Sequence, residues 1–341
     1  MKPITENIIE ESAIEILQSQ GWEYANGKEI SPEGLFCERE NFQQIILTNR
    51  LRSAIAKINP HIPADAQEAA IQKVLRIYSP VLLHNNEEFH KLLVEKVKIP
   101  YQQNGYERSH EVALIDFENT DNNQFLVVNQ YTIIERNQNK RPDVILFING
   151  LPLVVIELKN ASDENASIRK AYEQIQTYKA IIPSLFTYNS VCIISDGLEC
   201  KAGSVSADLS RYMTWKTSDG VKEASRFKPQ LETLLKGMLQ PSTLLDLVRN
   251  FIVFEKTKKE DAKTGLTQII TEKKLAAYHQ YYAVNKAVQS SIIASGVNGD
   301  KRGGVVWHTQ GSGKSLSMVF YSGKLITAPE NQNPTIVLIT D

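Results

Sequence analysis

Residues 141–160 read RPDVILFINGLPLVVIELKN. Two apolar runs flank an Asn149–Gly150 turn, and three charged side chains interrupt them. Asp143 opens the first run, while Glu157 and Lys159 close the second. The pattern predicts paired strands. Glu157 and Lys159 are two apart, so on a strand they share a face and Leu158 points to the other. Asp143 has to reach that same face from the neighbouring strand. A two-residue loop would oppose Ile148 to Leu151 and Asp143 to Ile156, turning Asp143 away from Glu157. The stretch therefore predicts a bulged or odd-length turn with Gly150 at positive φ, not a plain two-residue hairpin.

A helical pattern over 165–182 follows, with an apolar stripe of Ile168, Ala171, Ile175, Tyr178 and Ile182. Gln174 and Tyr178 stand at i, i+4 and share a face. Tyr178 falls on the apolar stripe, so simple core packing accounts for it equally well. The chemistry that suits Asp143, Glu157 and Lys159 is phosphodiester hydrolysis. Carboxylates supply hard oxygen ligands for magnesium. A lysine beside them orients water or offsets developing charge. Taken alone, Glu and Lys at a strand end are also what a solvated face looks like.

Outside this stretch the 341 residues are unremarkable in composition: 42% hydrophobic, 23% charged and net charge −1. The length suggests two or three domains. No global basic field advertises nucleic acid, so DNA contact would rest on local basic surfaces. Cys37, Cys192 and Cys200 are too few and scattered for a disulfide framework or zinc site, which suits a reducing cytoplasm. The polar, acidic start MKPITENIIEES is no signal peptide, and no apolar run approaches the roughly 20 residues of a membrane span.

The first hundred residues read as mostly helical, over 11–20, 40–58, 64–78 and 86–97, with a short strand at Trp22–Tyr24. From residue 111 four strand-like runs follow closely: EVALIDF, QFLVVNQYTII, DVILFI and LPLVVIEL. SVCIIS at 190–195 is a fifth. This predicts an α/β domain, a mixed sheet flanked by helices with a helical N-terminal part. The domain is expected to span 1–255, with its core at about 110–200. Residues 256–271, charged and without apolar periodicity, are expected to be a linker. Residues 272–341 form a second unit, with helix over 272–289 and 314–326, and strands in GGVVWHTQ and PTIVLIT.

That second unit holds WHTQGSGKS, residues 307–315, in a strand–turn–helix setting. Backbone N–H groups from Gln310 to Lys314 would cradle a β-phosphate at the helix N-terminus. Lys314 would reach the β- and γ-phosphates, and Ser315 a magnesium ion. Gly311 and Gly313 allow close backbone approach, and Thr309 and Ser312 complete the loop. His308 stands where the usual first glycine of the pattern would be.

Pro142-Asp143, Glu157-x-Lys159 and Gln174-x-x-x-Tyr178 resemble the PD-(D/E)xK nuclease superfamily, in the branch that includes RecB-type nucleases and type I restriction subunits. The resemblance implies that Asp143 and Glu157 bind magnesium and that Lys159 assists the attacking water. It also implies that Gln174 and Tyr178 support DNA positioning. WHTQGSGKS resembles the first motif of superfamily 2 helicases, with a RecA-like fold, and most closely that of type I restriction subunits. Gln280 lies where that superfamily reads the adenine edge, beside Tyr278, Tyr281 and Tyr282. Nuclease centre first and helicase loop second is the order of the type I restriction subunit. That order implies Mg2+ and ATP as cofactors, double-stranded DNA as substrate, and methyltransferase and specificity subunits as partners, without a membrane. It also implies that the chain is the N-terminal part of a larger motor. The other readings are a stand-alone helicase–nuclease and a non-catalytic DNA-binding assembly module.

Overall fold

The structure, a computed structural model, describes residues 5–160, 167–260, 267–332 and 334–339. Helix α1 (Glu6–Gln18) gives way to a turn in which Gly21 takes φ 93°, and strand β1 (Glu23–Asn26) follows. Helices α2 (Thr48–Ile58), α3 (Ala64–Leu75) and α4 (Leu82–Glu95) precede an exposed hairpin of β2 (Val97–Gln103) and β3 (Tyr106–Val112). Next come β4 (Phe125–Asn129), a small hairpin of β5 (Ile133–Glu135) and β6 (Gln138–Lys140), and the central pair β7 (Val144–Ile148) and β8 (Leu151–Leu158). Helices α5 (Ile168–Ile181) and α6 (Pro183–Thr187) carry the chain over to β9 (Val191–Ser195), which runs parallel to β8, and β10 (Cys200–Gly203) turns back against it. Then follow α7 (Gln230–Met238), α8 (Pro241–Asn250), strands β11 (Ile252–Glu260) and β12 (Thr267–Leu275), and helices α9 (Tyr278–Ser295) and α10 (Lys314–Thr327).

Six strands form one mixed sheet in the order β1-β4-β7-β8-β9-β10. Every residue of β4, β7, β8 and β9 is buried. Strands covered on both faces read as continuous apolar runs, which is why these were the easiest to see in the sequence. The β8–α5–β9 crossover is the parallel unit, and α5 packs on both of its strands. The expected strand EVALIDF ends early: β3 stops at Val112, and Asp116 and Asn123 organise a turn instead. The first two residues of the helix expected at 165–182 lie outside the described residues.

The central turn differs from expectation. Asn149 (φ 54°) and Gly150 (φ 79°) form a plain two-residue turn, with Ile148 opposite Leu151. Asn-Gly is the favoured pair for a turn that needs two positive φ angles. The bulge lies further along β8. Phe147 faces Pro152, but Leu146 faces Val154, so Leu153 is extra. Pro152 has no N–H for the ladder, and proline in a sheet is confined to edges and bulges. Beyond the bulge Val144 faces Ile156, and one more step sets Asp143 opposite Glu157. The geometric demand was right and its location wrong.

Gly150 is also pinned by packing, because a Cβ there would lie 2.4 Å from the Leu47 carbonyl oxygen. Gly150→Ala is expected to lower stability by about 2–4 kcal/mol, from positive φ and that clash together. A urea midpoint unchanged from the parent would contradict this.

Residues 256–271 are not a bare linker. In their described part they belong to β11 and β12, which pair antiparallel from Ile252↔Leu275 to Glu260↔Thr267. Residues 261–266 lie outside the described residues. The outward half of the ladder is solvated, so no apolar alternation reveals it. Its base is anchored by Lys273, whose ammonium donates to Asn86 Oδ1 at 2.9 Å and to the Asn189 carbonyl at 2.7 Å. Burial pushes this lysine down to about 7.

The strands expected in GGVVWHTQ and PTIVLIT are also absent among the described residues. Residues 303–308 and 334–339 make no ladder, and Val305, Trp307 and Ile339 are about nine-tenths exposed. A strand is stabilised by its neighbours, and neither run has one among the described residues. The helix expected from 272 begins at Tyr278, because Glu272–Leu275 complete β12.

Candidate active site

The three charged residues of the central stretch converge at one end of the β7–β8 pair. The Leu158 N–H donates to Asp143 Oδ2 at 2.7 Å, so the two strand ends are stitched through the aspartate itself. Lys159 Nζ lies 2.7 Å from Glu157 Oε1 and also donates to the Leu158 carbonyl at 3.0 Å. Glu157 is 1% exposed, and its Oε2 has no hydrogen-bond partner. A buried carboxylate oxygen without a partner is costly, and such groups point to a role.

Electrostatics agree with the geometry. Burial, reinforced by the nearby Asp143 charge, pushes Glu157 up to about 8, with Lys159 opposing. Burial also raises Asp143 to about 6, against the Leu158 N–H and Lys159. Burial works against the Lys159 charge, but Glu157 and Asp143 outweigh it and hold the ammonium above its ordinary value. A carboxyl group whose charge is disfavoured by burial and by a second carboxylate marks a place where a cation would be stabilised.

Helix α5 supplies the support. The Tyr178 hydroxyl donates to the Arg141 carbonyl at 3.3 Å and lies near the Glu157 carboxyl. Gln174 lies beside Tyr178 in the same cleft. Burial, with Glu157 and Asp143 nearby, keeps the phenol neutral. Tyr178 is thus both core and site: it fixes the backbone that presents Asp143.

Sequence reasoning missed Glu10. It projects from α1, and its oxygens accept from Asn129 Nδ2 (2.7 Å) and Gln130 Nε2 (3.0 Å). Its charge, after burial, helps raise Asp143. The signal was available, since Glu10, Ala13, Ile14 and Leu17 form one buried helical stripe in which an acid is out of place. Glu6, from the same helix, stands 3.8 Å from Lys159 Nζ. Together they line a cleft of about 710 Å3 that opens onto Asp143.

Among the described residues no group of three or more His, Cys, Asp or Glu is arranged as a metal-binding cluster. Magnesium does not need one. It is held by one or two carboxylates and keeps several waters. The unpartnered Glu157 oxygen and the second oxygen of Asp143 fit that donor set.

The glycine-rich loop forms a separate feature. Gly311 (φ 79°) and Gly313 (φ 80°) take left-handed conformations that only glycine adopts readily, and Gly313 caps α10. Ser312 folds back to the Thr309 carbonyl through its N–H (3.3 Å) and hydroxyl (2.8 Å). Thr309, Gln310, Lys314 and Ser315 are exposed at the mouth of this turn. Gln280 is brought against it, but its amide is engaged. Oε1 accepts from Ala277 N at 2.9 Å, and Nε2 donates to the Gly313 carbonyl at 3.0 Å. Tyr278, Tyr281 and Tyr282 gather around Trp215. Lys324 of α10 is held 2.6 Å from both Asp246 of α8 and Asn285 of α9, a junction the sequence did not reveal.

A carboxylate–lysine cluster at the end of a mixed α/β sheet and a separate glycine-rich loop before a helix are the two features of the described residues that invite comparison with known proteins. The chain belongs to the family described as type I restriction enzyme R protein N terminus, which matches residues 3–211. Residues 279–341 match a second family, the SWI2/SNF2 ATPase. The chain is 45% identical to the type I restriction enzyme HindI endonuclease subunit of Haemophilus influenzae, over 99% of this chain and 32% of that protein. It is 32% identical to the putative type I restriction enzyme MjaIXP endonuclease subunit of Methanocaldococcus jannaschii, over 98% of this chain and 32% of that one. A Staphylococcus aureus type I restriction enzyme endonuclease subunit is 27% identical over 74% of the chain. The chain thus spans about a third of the length of the first two relatives. No described helix is long and apolar enough to cross a membrane.

Proposed function

We propose that this chain carries the DNA-cleaving centre and the ATP-binding loop of a type I restriction subunit. In this reading residues 1–255 form a PD-(D/E)xK endonuclease domain and residues 272–341 the first part of a RecA-like ATPase domain. The substrate is double-stranded DNA, the partners are methyltransferase and specificity subunits, and the setting is the cytoplasm. One observation carries the nuclease part: a buried glutamate, a part-buried aspartate and a lysine meet at adjacent strand ends, with one glutamate oxygen lacking a hydrogen-bond partner.

Asp143 and Glu157 would hold magnesium. When bound, that ion polarises the phosphodiester and lowers the pKa of an attacking water. Glu157 would have to be deprotonated to serve as a ligand, which would link metal binding to pH. Lys159 swings from Glu157 to offset charge on the phosphate. Tyr178, with Gln174 beside it, keeps the Arg141–Asp143 backbone in place. In the second unit, Lys314 and the α10 N-terminus take the nucleotide phosphates, Ser315 the nucleotide's magnesium, and Gln280 the adenine edge after releasing Gly313. The exposed apolar runs at 303–308 and 334–339 are the surface that further strands of a longer chain would cover.

The family match favours this reading over a stand-alone helicase–nuclease, and the intact site favours it over a non-catalytic module. The test is cleavage of duplex DNA by the full-length subunit in its restriction complex, with ATP and magnesium. Lys159→Ala is expected to slow cleavage on the order of 10²-fold. An undiminished rate would remove Lys159 from the mechanism, and cleavage that survives chelation of magnesium would sink the reading as a whole.

A further inference from the structure

Two clefts meet at Arg141, and they carry opposite charge. The larger is lined by five carboxylates, those of α1 and Asp143, against only Lys28 and Arg141. The smaller, of about 300 Å3, is lined by Thr132, Asn139, Lys140, Arg141, Gln174 and Tyr178, without any carboxylate. The β5–β6 hairpin forms its rim. Glu135, the acid of that hairpin, is turned away and accepts from the Ser184 hydroxyl and N–H at 2.6 and 3.2 Å.

The rim is rigidly mounted. Arg39, buried over the Tyr131 ring, donates to the Thr132 carbonyl at 2.8 Å and the Phe42 carbonyl at 2.9 Å. Ile133 is fully buried and pairs with Lys140, and the Ile134 N–H donates to the Phe42 carbonyl. The Arg141 backbone is held by Tyr178, while its side chain is exposed. Two cations are therefore presented on a fixed backbone, within two and three residues of Asp143.

We propose that Lys140 and Arg141 seat a backbone phosphate of duplex DNA next to the scissile one, so that the cut strand reaches Asp143 across the β5–β6 hairpin and not across α1. This rests on the nuclease reading above. A duplex carries one negative charge per about 1.7 Å of axis, so a strand laid along the α1 side would face an excess of carboxylates over cations. On the other side it meets the two cations, with Asn139 and Thr132 as further hydrogen-bond partners. Lys140 and Arg141 are positioning residues, acting on the strand and not on the reacting atoms.

The test uses the full-length subunit and plain duplex DNA. In an Asp143→Asn background, the slope of log Kd against log salt is expected to shrink by about 0.9 for each of Lys140→Ala and Arg141→Ala. In the otherwise intact enzyme each raises KM about tenfold with kcat unchanged. Arg141→Lys keeps the slope, which separates lost charge from lost folding. Glu11→Gln and Glu15→Gln leave KM unchanged or lower it. An unaltered slope and KM in the Lys140→Ala/Arg141→Ala double variant overturns the proposal while an inactive Asp143→Asn leaves the nuclease reading standing. If Asp143→Asn still cuts, both fall together.

Discussion

Glu157→Gln in the full-length subunit is expected to stop DNA cleavage, by about 10⁴-fold or more, and to make the metal-free fold more stable. Both effects follow from one buried oxygen. The glutamine keeps the shape of the side chain and an acceptor for Lys159 but removes the negative charge that a metal ion requires. Without metal, that charge is a burden. The folded-state pKa of Glu157 is about 8 against 4.5 for the free group, so the folded chain holds the proton more tightly throughout that window. Stability from this group is therefore complete below about pH 4.5 and is lost as pH rises through about 8. Asp143 adds the same sign between 3.8 and about 6. Metal-free parent protein should lose on the order of 5 kcal/mol between about pH 5 and about pH 9 from this pair, and Glu157→Gln should flatten most of that slope. Melting curves in chelator read the difference. Equal slopes in parent and variant would show that Glu157 is charged in the metal-free fold, contrary to the buried-acid argument.

Lys314→Ala is expected to cut ATP hydrolysis by the full-length subunit on the order of 10³-fold. Lys314 is exposed at the start of α10, and its side chain has no ion-pair partner among the described residues. Removing it therefore leaves the fold alone. The α10 packing depends on Phe320 against Phe251 and on Lys324 with Asp246, both away from the loop. Melting temperature should stay put while nucleotide turnover disappears. A variant that hydrolyses ATP at the parent rate would mean that residues 308–315 are a glycine-rich turn and nothing more.

Much of the candidate site was legible because charge in a buried strand is conspicuous. Asp143, Glu157 and Lys159 stand out against β7 and β8, whose residues are otherwise apolar. The face argument then required one extra residue somewhere in the hairpin. It put that residue at Gly150, whereas Pro152 had already broken the ladder and marked Leu153. The β11–β12 hairpin was invisible for the opposite reason, since a solvated ribbon has no apolar period to read. The β-runs around the phosphate loop were legible as pattern but are unpaired, because strand character is completed by neighbours and not by the run itself. Glu10 lay in plain view on a buried stripe, but only the fold shows that α1 sits over the strand ends.

The bulge at Leu153 also decides where a mechanical load would end. A pull on α9 enters β12, and its nine pairings with β11 lie side by side. They begin at the α9 end with Ile252↔Leu275, so a pull there would peel them one at a time and reach Lys273 at the third pair. There Lys273 is riveted to the Asn189 carbonyl. Asn189 Nδ2 and the Ser190 N–H both close on the carbonyl of Leu153, at 3.3 and 2.7 Å. Tension from the phosphate-loop side therefore arrives, through three short links, at the one residue whose insertion sets Asp143 opposite Glu157.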